Sequence, residues 1–464
     1  AEVAKARTLA AETPVALTDE AAKLRQELLP LAASDATRPA LMAAIRSDLA
    51  STSARTADFI AANPETKFKR VIIGGGPQGQ TIANALHRAD DGTSTLLVDA
   101  TKGDQNFGSI RNFDLNSKGP DSPLYGSPVQ VSDLTSREYP NAGTFGDAST
   151  IGLYSAMRQG TDVLTDTKAT IVDGTGKGWP GRYRIDMVDG QGRPLSVYTD
   201  EVVTSPGLGK PVGPRDPASA ALADAEAAKV ANDPSALADV RITSGEDLLR
   251  GSNFVADQAA FYRASDGPIY FIGAGDAAKT AVEHFGDVTK GGARPQAYWV
   301  GIKDEDLWSR YAKAKELVDN GAVVPATGRL SKIEEIPGTN KLKLTFDTPE
   351  GPVTKEAGKV VMSIGMQSDV PSLMKGVVDD FDPKVHLETV TGVDTRYPDQ
   401  SLAKKVAGHD VYVAGIATNL GRKEGVSWLE YYGWKNTQLV EQVLAKGPKQ
   451  PSPIPGAARG APTP

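Results

Sequence analysis

The chain has 464 residues, 40% hydrophobic and 23% charged, with a formal net charge of −7 and no cysteine. That size and balance fit a globular protein of two or three domains. They exclude disulfide frameworks, cysteine-ligated zinc or iron–sulfur sites and thiol nucleophiles. No run of Lys/Arg is long enough to track a nucleic-acid backbone, and no apolar stretch approaches the roughly 20 residues that span a bilayer. The four histidines, His87, His284, His386 and His409, show no metal-ligand spacing, so no metal is expected. A cytoplasmic protein is expected, with export left open because the chain begins at Ala1.

Residues 1–66 read as an Ala-rich helical extension. Glu20 to Leu29 has helical spacing, with Thr18 or Asp19 as cap and Pro30 as stop. A second helix runs from about Leu41 to Ala62. The extension is expected to pack on the body or on another subunit.

Val71-Ile72-Ile73 is a β-branched, buried strand. Gly74, Gly76 and Gly79 follow as G-x-G-x-x-G, with Pro77 and Gln78 opening a helix. The first glycine permits the turn, the second lets backbone approach a pyrophosphate, and the third lets helix pack on strand. The phosphates would sit at the helix N-terminus, where N–H groups and the dipole favour negative charge. Leu96-Leu97-Val98 is a second strand, ending in Asp99, 20 residues after Gly79, where a carboxylate accepts ribose hydroxyls.

A long Pro/Gly/Ser-rich segment extends to about Gly146, and Phe107, Phe113, Leu124, Tyr125 and Tyr139 argue that it is an ordered loop. Ser149–Gln159 reads as a helix and Thr161–Leu164 as a short strand. Residues 168–205 form a meander with strands at Tyr183–Val188, Leu195–Tyr198 and Glu201–Thr204, closing on Ser205-Pro206-Gly207. Residues 208–245 read as a linker or surface helix.

The plan then repeats. Ile269 to Ile272 is a strand, and Gly273, Gly275 and Ala278 give G-x-G-x-x-A before a helix. Ala297–Val300 is its second strand, 328–346 another meander, and Val360–Met362 leads into Ser363-Ile364-Gly365. After the second strand, Lys303 and Arg310 form a candidate clamp for a 2′-phosphate, while Asp304, Glu305 and Asp306 suit a free 2′-hydroxyl. The balance leans to NADPH over NADH. His409–Ile416 reads as a strand into a glycine turn, and about Gly425–Lys446 as a final helix carrying Trp428, Tyr431, Tyr432 and Trp434. The Pro/Gly/Ala-rich tail 447–464 is expected to be disordered.

Over residues 67–446 this order resembles the flavoproteins with two dinucleotide-binding domains, nearest in style to the flavin-dependent monooxygenases. The resemblance implies an α/β fold of two Rossmann-like, three-layer ββα domains, the second inserted in the first: an FAD-binding domain at 67–245 and 366–446, and an NAD(P)H-binding domain at 246–365. Gly74, Gly76, Pro77, Gln78, Gly79, Asp99 and Gly207 would hold FAD, with Gly415 as the late glycine that faces the flavin. Ile416 stands where the family carries aspartate. Gly273, Gly275, Ala278, Lys303 and Arg310 would hold NADPH or NADH.

With no cysteine, the dithiol branch is excluded. The implied activity is an FAD- and NAD(P)H-dependent monooxygenase that hydroxylates a small molecule through a flavin C4a-hydroperoxide, with Arg111, Asn112 and Asn116 beside the substrate. The alternatives are an oxidase or reductase passing electrons to oxygen, a quinone or a protein, and a non-catalytic flavin-binding sensor. The expected partner is a small-molecule substrate, with no nucleic acid and no membrane span; homo-oligomerisation is left open.

Overall fold

The computed structural model describes residues 17–89, 94–101, 124, 126–136, 142–207, 209–248, 254–290, 294–301, 312–367, 369–390, 404–414, 439–440, 443–446 and 451–455. Contacts divide the chain into two units. The first comprises 1–108, 115–209 and 368–464, and the second 109–114 and 210–367.

The first unit opens with the extension. Helix α1 (Asp19–Ala32) is capped by Thr18, whose Oγ1 accepts from the Ala21 N–H at 3.1 Å. Pro30 does not stop it. A proline near the last turn removes a single backbone bond, and Leu28 and Ala32, both buried, hold that turn to the body. Helix α2 (Arg38–Ala62) buries Met42, Ile45, Leu49, Ala57 and Ile60. The extension is tied within its own unit by Arg25, which grips Asp133 through two bonds of 2.7 and 2.9 Å, and by Arg46 on Asp147 at 3.0 Å.

Strand β1 (Lys67–Ile73) leads into α3 (Pro77–Arg88). Strand β2 (Thr95–Val98), helix α4 (Ala142–Gln159), and strands β3 (Asp162–Leu164), β4 (Thr167–Asp173), β5 (Tyr183–Asp189) and β6 (Pro194–Thr204) follow. The two strands expected at 195–198 and 201–204 are one. Its first half pairs antiparallel with β5 and its second half parallel with β1, so two partners share one strand.

The second unit runs from β7 (Lys210–Pro211) to β16 (Met366–Gln367), which pair with each other. It contains α5 (Pro217–Asn232), β8 (Ile242–Ser244), α6 (Phe254–Arg263), β9 (Ile269–Ile272), α7 (Asp276–Val288), β10 (Ala297–Val300), α8 (Ala312–Asp319), β11 (Val323–Ala326), β12 (Arg329–Glu335), β13 (Leu342–Thr348), β14 (Gly351–Ala357) and β15 (Lys359–Met362). Its sheet, ordered β11-β10-β9-β15-β8, is parallel throughout. One face carries α6, α7 and α8 around Phe261, Phe271, Phe285 and Trp299, and the other carries the β12–β14 meander around Tyr270, Leu344 and Phe346. Three layers result, and near-continuous apolar strands are what burial on both faces demands. Residues 210–245 belong here rather than to the first unit as expected, because β8 extends this sheet through β15 and α5 packs on the meander face.

The chain returns to the first unit with β17 (Leu387–Thr389), β18 (Lys404–Val406) and β19 (Val411–Val413). That sheet is ordered β17-β18-β19-β6-β1-β2-β3, and β19, β6, β1, β2 and β3 run parallel. The proline-rich tail is not wholly without structure: Ser452 Oγ donates to the buried Asp162 Oδ2 at 2.5 Å, and Ile454 packs on the core. Of the final helix, the described residues show Leu439 and Val440 in helix and a 3-10 turn at Leu444–Lys446, held by buried Arg70, whose Nη2 donates to the Leu444 carbonyl at 2.8 Å. Among the described residues no helix is long and apolar enough to cross a membrane.

Candidate functional site

In the first unit the turn between β1 and α3 is built by three different constraints. Gly74 has φ +107°, and a Cβ there would lie 2.2 Å from the Ser205 carbonyl oxygen at the end of β6. Gly79 is closer still: its Cβ would lie 1.7 Å from the Gly74 carbonyl oxygen, so α3 rests directly on the turn. Gly76 is of another kind. It is the N-cap of α3, with extended φ −65° and ψ −170°, and a Cβ on it would meet none of the described residues within 4 Å. Neither its backbone angles nor packing among the described residues asks for glycine at that position.

The helix opens with Pro77, and no side chain caps it. Asp99 sits under the turn, 7% exposed. Its Oδ2 accepts from the Gly75 N–H at 3.1 Å, and its Oδ1 accepts from the Thr101 N–H at 2.9 Å and hydroxyl at 3.0 Å. Burial pushes the Asp99 carboxyl above the usual range, and the three hydrogen bonds pull against it.

The second unit repeats the arrangement. Gly273 has φ +125°, and its Cβ would lie 2.1 Å from the Ser363 carbonyl oxygen at the end of β15. Gly275 is the N-cap of α7, extended at φ −88° and ψ −179°, and among the described residues no side chain caps it and its Cβ would again meet nothing within 4 Å. Ala278 takes the third position, 1% exposed. Gly207 and Gly365, which follow the closing strands, both adopt positive φ, +76° and +118°. Where β2 runs into Asp99, β10 runs into Gly301 at φ +105°.

Gln78 lies in the first turn of α3. Arg111, Asn112, Asn116, Lys303, Arg310 and Gly415, and with them Ile416 and the aromatics of the final helix, lie outside the described residues. Sequence reasoning did not foresee the serines, Ser205 and Ser363, whose carbonyls the first glycines approach; their common place before a strand-ending glycine was the available signal. Nor did it foresee the ladder behind α3. Gln80 and Asn84 are both buried, Asn84 Nδ2 donates to the Gly152 carbonyl at 2.8 Å, Gln159 Nε2 donates to Asn84 Oδ1 at 3.0 Å, and the Thr18 hydroxyl donates to Gln159 Oε1 at 2.5 Å. Through it the cap of α1 is bonded to the helix that carries the turn.

No family model matches this chain, and no curated protein matches it. Solved structures do. The bacillithiol disulfide reductase Bdr (YpdA) of Staphylococcus aureus superposes with a TM-score of 0.51 at 14% identity, over 82% of this chain and 99% of that one. Its Bacillus cereus counterpart gives 0.49 at 15%, over 81% and 99%, and the T. acidophilum thioredoxin reductase gives 0.45 at 12%, over 81% and 98%. At 14% identity the Staphylococcus aureus likeness establishes the fold alone: two Rossmann-like α/β units, the second inserted in the sequence of the first.

Proposed function

We propose that this chain is an FAD-dependent oxidoreductase reduced by NAD(P)H. The observation that carries the reading is the pair of glycines, Gly76 and Gly275, that nothing among the described residues requires. A glycine kept where a side chain would meet only open space, at the uncapped N-terminus of a helix, suits the approach of a diphosphate. Both turns therefore fit a dinucleotide. The first is assigned to FAD, from the order of the two units and from Asp99, placed to accept ribose hydroxyls. The second is assigned to NAD(P)H, and Gly301, in place of an acid after β10, favours NADPH.

FAD, when bound, supplies the acceptor for a hydride and the means to pass electrons on. The chain's residues bind and orient: Gly74 and Gly79 set α3 hard against its strand, Gly76 opens the way to the diphosphate, and the Gly75 N–H fixes the Asp99 carboxylate. Because this chain contains no cysteine, its electrons go to an acceptor outside it. That separates it from the disulfide reduction for which the Bdr neighbours are named. Within this reading, hydroxylation of a small molecule is the narrower assignment, with oxygen, a quinone or a protein as the other acceptors.

The test is direct. The purified chain is expected to show a flavin absorbance spectrum that NADPH bleaches anaerobically. Absence of flavin would sink the assignment, and flavin that neither NADPH nor NADH bleaches would favour a binding or sensor role. Once air is readmitted, NADPH consumption matched by hydroxylated product supports the monooxygenase, and consumption matched by hydrogen peroxide or by reduced quinone supports the oxidase or reductase.

A further inference from the structure

Ser205 and Ser363 occupy equivalent places, each at the end of a strand whose carbonyl backs the first glycine of a turn, but their hydroxyls differ. Ser205 Oγ donates to the Gly74 carbonyl at 3.3 Å and would lie 3.2 Å from a Cβ at Gly79. It uses the room that the third glycine leaves. In the second unit the third position is Ala278, so a methyl occupies the corresponding room. Ser363 Oγ is turned instead toward Gly245, where a Cβ would stand 2.3 Å from it, and Gly245 in turn faces Ala277 in the first turn of α7. There the hydroxyl, on a residue 7% exposed, has no hydrogen-bond partner among the described residues. A buried hydroxyl without a partner costs free energy, and a protein that needed only packing would place alanine there.

We infer that Ser363 is a ligand-positioning residue of the second unit, its hydroxyl held in reserve beside the N-terminus of α7 to hydrogen-bond the bound nicotinamide dinucleotide. Gly245 provides the space in which it stands. The inference rests on the assignment of the second turn to NAD(P)H.

Titration of the full chain with NADPH, and with NADH, tests it by binding rather than turnover. Ser363→Ala should raise the Kd about tenfold, the effect of losing one hydrogen bond to a charged ligand. Its melting temperature without nucleotide should hold or rise, since the variant deletes a hydroxyl that bonds to nothing. Gly245→Ala, which keeps the hydroxyl but crowds it, should weaken binding in the same direction and decides the matter should the first variant fail to fold. Unchanged affinity in both variants overturns the inference while leaving the nucleotide assignment intact. Weaker binding accompanied by a lower melting temperature also overturns it, because the role would then be structural. A wild-type chain that binds neither nucleotide overturns both.

Discussion

The two turns of this molecule are near copies, and their differences say more than their likeness. Both first glycines have positive φ and lie against the carbonyl of a serine. Both second glycines are extended, cap their helices and face open space. At the third position they part. Gly79 brings α3 to the point where no Cβ would fit, and in α7 the same position is the buried Ala278. They part again at the second strand, where the first unit holds a buried acid and the second a glycine. One second strand ends on a titratable group held under its turn, and the other on a glycine that cannot titrate.

Substitutions can break that comparison. Gly79→Ala should have the largest effect: with a methyl driven into the Gly74 carbonyl, the first unit should lose about 3 kcal/mol, at the upper end for overpacking, and its flavin. Ala278→Gly, the reciprocal change, should cost only about 1 kcal/mol from helix propensity. Denaturant titration, with flavin absorbance reporting on the first unit, separates the two.

Asp99→Asn is next. It deprives the Gly75 and Thr101 N–H groups of a charged acceptor, at about 1–3 kcal/mol. It should also flatten a pH dependence. The folded-state pKa of Asp99 lies above its ordinary 3.8, so the stability tied to its protonated form is whole below 3.8 and is lost as pH rises through the higher folded value. Thermal melting of the first unit across that range should show this fall in the wild type and lack it in the variant. The second unit carries Gly301 in that place.

Gly76→Ala and Gly275→Ala should leave folding almost untouched, because both positions have ordinary backbone angles and empty surroundings. Each should nevertheless weaken its own dinucleotide at least tenfold, about 1.4 kcal/mol, read as flavin retained on purification for the first and as NADPH affinity for the second. Equal, unaffected binding in both would remove the main support for the dinucleotide reading. The smallest effect is expected from Ser205→Ala, about 0.5–1 kcal/mol of stability for one neutral hydrogen bond, against none for Ser363→Ala.

Much of the fold was legible because its signals are local. Apolar runs before G-x-G turns locate β1 and β9, and the spacing from Gly79 to Asp99 fixes a β-turn-α-β unit. What failed did so for non-local reasons. Pro30 looked like a stop, but burial of Leu28 and Ala32 carries α1 past it. Residues 195–204 looked like two strands because one strand changes partners midway. The region 208–245 carried little pattern, since β8 is three residues long and is a strand only because β15 lies beside it. In the tail, one serine and one isoleucine find Asp162 and a core surface that are distant in sequence.

The sequence by itself determined that two glycine turns follow buried strands, that an acid ends the second strand of one of them, and that no thiol takes part in the chemistry of this chain. These follow from residue type and spacing, which act over a few bonds. Only the tertiary structure decided which glycines are demanded by close approach of backbone and which are not, because that depends on the atoms of strands more than a hundred residues away in the first unit. Ser205 crowds Gly74 and leaves Gly76 open. The same structure decided that the two serines, alike in sequence context, have different fates: one hydroxyl donates to the Gly74 carbonyl, and the other finds no partner among the described residues.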